Sequence, residues 1–147
     1  MRALAAVFFL LVLSSCFDQG ECLITNSNMV RVSLRSMKDK TVITVALKSV
    51  SVLNHDTALY ANADASALLL PVDPGVNETS YLFVYGDKTD TLSLGYDNQT
   101  VVLAPQCGAF PYQRNLTVTN STFGQDSVVV TNPSLLKDAV ENVRIYF

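Results

Sequence analysis

The chain has 147 residues, a formal net charge of −3 and a hydrophobic fraction of 49%, which leaves room for one domain and little more. It carries no basic cluster, so a nucleic-acid partner lacks the phosphate-neutralising face it would require. Trp is absent while Val, Thr, Ser, Leu and Asn abound, a composition that favours strands over helices.

Residues 1–15 read as an export signal. Arg2 supplies the positive start, and Ala3–Leu13 is an unbroken apolar run. That run is shorter than the roughly 20 residues a membrane-spanning helix needs, and fits the apolar core of a secretory signal. Leu13-Ser14-Ser15-Cys16 closes it with an aliphatic residue, two small residues and a cysteine, the pattern of a bacterial lipobox. The thiol of Cys16 is thereby expected to carry a diacylglycerol, and its α-amine, once freed by cleavage, a further acyl chain. Two or more chains give stable anchoring where one gives marginal binding. Four Asn-x-Thr sequons, at Asn77, Asn98, Asn115 and Asn120, would suit a eukaryotic secreted chain, but an Asn- and Thr-rich sequence supplies such triplets by chance. Cys22 and Cys107 remain, and two thiols in an oxidising compartment predict a disulfide between them.

Residues 16–28 are polar after the cysteine and read as a tether; residues 29–147 form the domain. Val30, Val32 and Leu34 alternate with polar neighbours, and a turn follows at Met37–Lys40. In Thr41–Leu53, Ile43, Val45 and Leu47 lie in one phase and Val50 and Val52 in the other, which predicts a bulge near Lys48-Ser49. Asp56–Tyr60 and Ala67–Leu70 are short strands, the second ending in a turn-rich loop, Pro71-Val72-Asp73-Pro74-Gly75. Thr79–Tyr85 and Thr89–Leu94 flank Gly86-Asp87-Lys88 as a hairpin. Thr100–Ala104, Asn115–Thr119 and Ser127–Thr131 are further strands, Pro133–Val140 fits one short helix, and Asn142–Phe147 closes the chain as a strand. Eight or nine short strands separated by turns predict an all-β fold, an antiparallel β-sandwich of Ig-like or Greek-key type, with a partly closed barrel as the alternative.

Residues for chemistry are sparse. His55 is the single histidine and sits between Asn54 and Asp56, as in a turn, with no nucleophile motif beside it. No Cys/His spacing suits zinc, and Asp87 and Asp90 flank a hairpin turn where solvated carboxylates are ordinary. No phosphate loop occurs, so no cofactor or metal is implied. Tyr81, Phe83 and Tyr85 alternate with Leu82 and Val84, so both faces of that strand are apolar. One face must meet the core; the other is either covered or an aromatic recognition stripe.

Cys16, Cys22, Asp90-Thr91-Leu92-Ser93-Leu94-Gly95-Tyr96, Pro105-Gln106-Cys107-Gly108 and Asn142-Val143-Arg144-Ile145-Tyr146-Phe147 together resemble a family of short Bacteroidetes envelope lipoproteins of unknown function. The resemblance spans nearly the whole chain and implies location rather than chemistry. It also implies O-glycosylation at Asp-(Ser/Thr)-aliphatic triplets, here Thr57, Thr91 and Ser127. The acidic run that marks surface export in that phylum is reduced to Asp18 and Glu21.

These readings converge on an exported lipoprotein of the bacterial envelope, at the outer rather than the inner membrane. It is expected to be a non-catalytic module that binds an envelope protein or glycan. The alternatives are a structural or assembly accessory of an envelope complex and a hydrolase of unfamiliar type.

Overall fold

The computed structural model describes residues 28–104, 108–135 and 140–147. Nine strands are present among them: β1 (Met29–Arg35), β2 (Val45–Val52), β3 (Ala58–Ala65), β4 (Ala67–Pro71), β5 (Glu78–Tyr85), β6 (Lys88–Ala104), β7 (Gly108–Ser121), β8 (Val128–Val130) and β9 (Val143–Tyr146). They form two sheets, one ordered β4-β1-β9-β8 and the other β3-β2-β5-β6-β7. All neighbours are antiparallel except β1 and β9, which run parallel. The fold is the expected β-sandwich.

Period-two alternation builds the core. Val30, Val32 and Leu34 of β1, Leu68 and Leu70 of β4, and Val143 and Ile145 of β9 point inward from one sheet. Leu47 and Val50 of β2, Tyr81 and Phe83 of β5, Leu92, Leu94 and Tyr96 of β6 and Leu116 of β7 meet them from the other. Leu47 and Val50 are three residues apart, which a regular strand would place on opposite faces. The register against β5 slips between Leu47 and Ser49, so the bulge lies where the phase change predicted it and lets both side chains face inward. The β5–β6 hairpin also follows its turn signal: Tyr85 pairs with Lys88 across Gly86-Asp87, with Gly86 at φ +50°.

Three expectations change. β6 is a single strand of 17 residues that joins the segments Thr89–Leu94 and Thr100–Ala104, because Asp97 and Asn98 pair with Arg114 and Gln113 of β7 rather than turning. β3 continues to Ala65 through the small and polar run Ala61-Asn62-Ala63-Asp64, which pairing with β2 holds extended. The helix at Pro133–Val140 is not found in its described part, residues 133–135 and 140; residues 136–139 lie outside the described residues. The backbone of this segment is committed elsewhere: the Leu116 amide donates to the Pro133 carbonyl (2.9 Å) and the Leu135 amide to the Gln113 carbonyl (3.3 Å). The segment therefore lies along the edge of β7, and buried Asn142 fixes it by donating from Nδ2 to the carbonyls of Asn132 (3.2 Å) and Ser134 (3.0 Å).

The aromatic stripe is corrected as well. Tyr81 and Phe83 are 0% exposed, so the aromatic face is the face that meets the core. Tyr85 is half-buried and stacks on Phe123, with ring centroids 6.3 Å apart, and meets Phe147 edge-on at 5.0 Å. These rings close one end of the sandwich, where β5 turns into β6 and the chain finishes.

Candidate functional site

The opposite end of the sandwich holds a cavity of about 500 Å³ between the β2–β3 turn and the β4–β5 loop. Its volume falls in the range typical of small-ligand sites. Val52, Leu53, Leu59, Pro71, Val72 and Val76 supply the apolar lining. Asn54, His55, Thr57, Asp73, Glu78, Thr79 and Ser80 supply the polar groups. Among the described residues the lining contains two carboxylates and no Lys or Arg.

The β4–β5 loop, residues 72–77, is pinned from beneath by side chains of the large sheet. The Tyr81 hydroxyl donates to the Pro71 carbonyl at 2.6 Å. The Tyr96 hydroxyl donates its one proton to the Asp73 carbonyl at 2.8 Å, so in its 2.6 Å contact with Thr79 Oγ1 the threonine must be the donor. The Asp73 amide in turn donates to Thr79 Oγ1 at 3.4 Å, which closes a ring of three hydrogen bonds. Burial pushes the phenol of Tyr96 above its ordinary range, and the charges of Asp73 and Glu78 push the same way, so the proton stays in place. Asn98 adds Nδ2 donations to the Val76 carbonyl (2.5 Å) and to Asn77 Oδ1 (3.0 Å), and buried Gln113 orients it by donating to its Oδ1 at 3.0 Å. At the loop's tip Asp73 Oδ1 accepts the Gly75 amide at 2.7 Å, an Asx turn. One wall of the cavity is thus fixed before any ligand arrives.

The turn of residues 53–57 forms the other wall. The His55 amide donates to the Val52 carbonyl at 3.1 Å and the Leu53 amide to the Ser80 carbonyl at 2.8 Å. His55 and Glu78 are exposed, and among the described residues neither side chain has a hydrogen-bond partner. Both can therefore turn to a ligand without breaking a side-chain hydrogen bond.

Other expected site residues are scattered. Cys16, Cys22 and Cys107 lie outside the described residues. Thr57 is exposed at the cavity rim and Thr91 is half-buried on β6. Ser127 is only 5% exposed, which leaves no room for a glycan on its hydroxyl and removes it as an acceptor. Asp87 is exposed, whereas Asp90 accepts from the Tyr85 hydroxyl (2.5 Å) and from Thr122 Oγ1 (2.8 Å). Among the described residues no three His, Cys, Asp or Glu side chains come together as a metal site would need. His55 was read as a turn residue, which it is, but the turn faces Pro71–Gly75 across the cavity. Only the Pro- and Gly-rich loop itself was visible beforehand; its meeting with His55 depends on the pairing of distant strands.

Residues 41–147 match the model of a family of unknown function, DUF6452. No curated protein and no solved structure matches the chain.

Proposed function

The chain belongs to this DUF6452 family of unknown function, and we propose that it is a non-catalytic binding module, exported and held at a bacterial envelope membrane by a lipidated Cys16, that takes an envelope glycan in the cavity beside His55. The observation that carries the reading is the cavity's make-up: an apolar floor, neutral polar groups, two carboxylates with no Lys or Arg among the described lining residues, and a wall fixed by Tyr81, Tyr96 and Asn98. Sugars offer both apolar CH faces and many hydroxyl donors, and a carboxylate accepts hydroxyl protons in strong, charge-assisted hydrogen bonds. A rigid wall limits the ordering cost of binding. An acidic ligand would meet Asp73 and Glu78 with repulsion.

Two carboxylates and a histidine around one cavity also raise the hydrolase reading. Asp73 and Glu78 are, however, exposed, without the burial that tunes a carboxyl group for acid–base work. Asp73 is moreover engaged in its own turn. Recognition fits this arrangement better than turnover.

The anchor is supported by the Leu13-Ser14-Ser15-Cys16 motif after the apolar run. Cys16→Ala should shift the protein from the detergent phase to the aqueous phase; continued detergent partitioning would reject the anchor. For the cavity, calorimetry with soluble envelope glycan fragments should give saturable binding. Glu78→Gln should weaken it by roughly ten- to a hundredfold, since a charge-assisted hydrogen bond contributes about 1.5–3 kcal/mol. An unchanged Kd in Glu78→Gln would remove the carboxylate from the site. Glycan cleavage during the titration would favour the hydrolase, and copurification of a defined protein complex without glycan binding would favour the accessory role.

A further inference from the structure

The β6–β7 pair runs on past the sandwich. β5 accompanies β6 only as far as Glu78 opposite Gly95, whereas β6 and β7 stay paired to Ala104 opposite Gly108. Beyond Gly95 the two strands form a ribbon with no third strand beside it among the described residues, and the segment at residues 133–135 flanks β7 only as far as Gln113. The sequence is uncharged from Asn98 to Gln113. Val102 is 65% exposed and shares one face of the ribbon with Ala109 and Pro111, both exposed, while Phe110 and Tyr112, half-exposed, lie on the other face. An isolated two-stranded ribbon is marginally stable by itself, and exposed apolar side chains on both of its faces mark a contact surface.

The end of the sandwich from which the ribbon leaves identifies the contact. The Val72 amide donates to the Asn28 carbonyl at 2.9 Å, the Tyr96 amide to the Asn77 carbonyl at 2.9 Å, and Asn98 Nδ2 to the Val76 carbonyl at 2.5 Å. The start of β1, the β4–β5 loop and the root of the ribbon therefore lie together. The ribbon extends about 30 Å from Gly95 to Ala104 at the usual strand rise. Residues 17–27, fully extended, would reach at most about 40 Å. A membrane that held Cys16 would thus lie within about 40 Å of the start of β1 and within the ribbon's reach.

We infer that the uncharged β6–β7 ribbon, with Val102 on one face and Phe110 on the other, makes a second, non-covalent contact with the lipid bilayer, an inference that rests on the anchoring of Cys16 proposed above. Apolar side chains with Tyr112 behind them suit shallow insertion at the boundary between headgroups and acyl chains. Without charges, the contact gains nothing from anionic lipid, so it should be insensitive to salt.

The chain contains no Trp, so one introduced Trp reports on its own surroundings. Val102→Trp and, separately, Phe110→Trp are made in the full chain and placed with phosphatidylcholine vesicles whose acyl chains are brominated. Met37→Trp, at the far end of β1, is the control. Both ribbon reporters should shift to the blue and be quenched by the brominated lipid, equally at low and high salt, while Met37→Trp keeps the emission of a water-exposed ring. Ribbon reporters that stay as exposed and unquenched as Met37→Trp would overturn the inference. A blue shift without lipid that grows with protein concentration would also overturn it, by placing a second copy of the chain there. The anchor is read separately, from the intact mass and from flotation of Cys16→Ala. If the chain proves unlipidated, quenching on simple mixing with vesicles still upholds the ribbon contact, and its absence rejects it.

Discussion

Tyr96 satisfies two groups with one hydroxyl: it donates to the Asp73 carbonyl and accepts from Thr79, which in turn accepts from the Asp73 amide. Tyr96→Phe keeps the ring in the core but orphans a carbonyl and a hydroxyl. It should cost about 1–3 kcal/mol in denaturant unfolding and weaken ligand binding, because the loop wall loses its clamp. Phe83 sorts the two readings of the aromatic strand. As a fully buried core ring it should lose about 3–5 kcal/mol of stability on truncation to Ala. Glu141 is one residue through which pH acts. Burial alone would raise its pKa, but hydrogen bonds from Ser33, Arg35 and Arg144 outweigh burial and hold it below the ordinary value. Its carboxylate meets Arg35 Nη2 at 3.0 Å and Arg144 Nε at 2.5 Å, linking β1 to β9. A depressed folded pKa means that this stability is present above the unfolded value, near about 4.3, and is lost as pH falls through the folded one. The stability gap between the wild type and Glu141→Gln should therefore be full above about pH 5 and close at lower pH; a gap independent of pH would contradict the assignment.

Elements with strong local signals were legible beforehand. β1, the bulge in β2, the β5–β6 hairpin and β9 each follow from alternation or turn residues in their own segments. β3, the middle of β6 and the segment after Pro133 were not, because their conformation is set by partners distant in sequence. Asn98, which reads as a loop residue, stays in β6 because Gln113 and the Val76 carbonyl satisfy its amide. Gly95 shows the same dependence. A Cβ there would come within 2.7 Å of Thr119 Cγ2 and 3.2 Å of Thr117 Oγ1, so Gly95→Ala must displace the Thr119 side chain, which donates to the Ser93 carbonyl, or shift β7, and should cost about 1–3 kcal/mol by thermal unfolding. At the edge of the small sheet, Tyr60 accepts the Leu69 amide at 2.9 Å and donates to the Leu69 carbonyl at 3.3 Å. It thereby blunts an open strand edge. Tyr60→Phe should promote concentration-dependent self-association, seen as a rise in sedimentation coefficient with loading.

At the scale of the whole molecule the two ends differ in kind. One is sealed by Phe83, Tyr85, Phe123 and Phe147. The other gathers the cavity, the start of β1 and the root of the uncharged ribbon. Sequence reading gave the sandwich, but it looked for a binding surface on the aromatic strand. The cavity escaped it because no one segment carries the signal: His55 and Glu78 meet only once β2, β3, β4 and β5 are in place. Backbone amide shift mapping during titration with soluble envelope glycan fragments tests the central claim most directly. The account predicts saturable shifts confined to the turn of residues 52–59 and the loop and strand of residues 71–80, with the aromatic end unmoved. Saturable shifts centred elsewhere, or none at any glycan concentration, would contradict it.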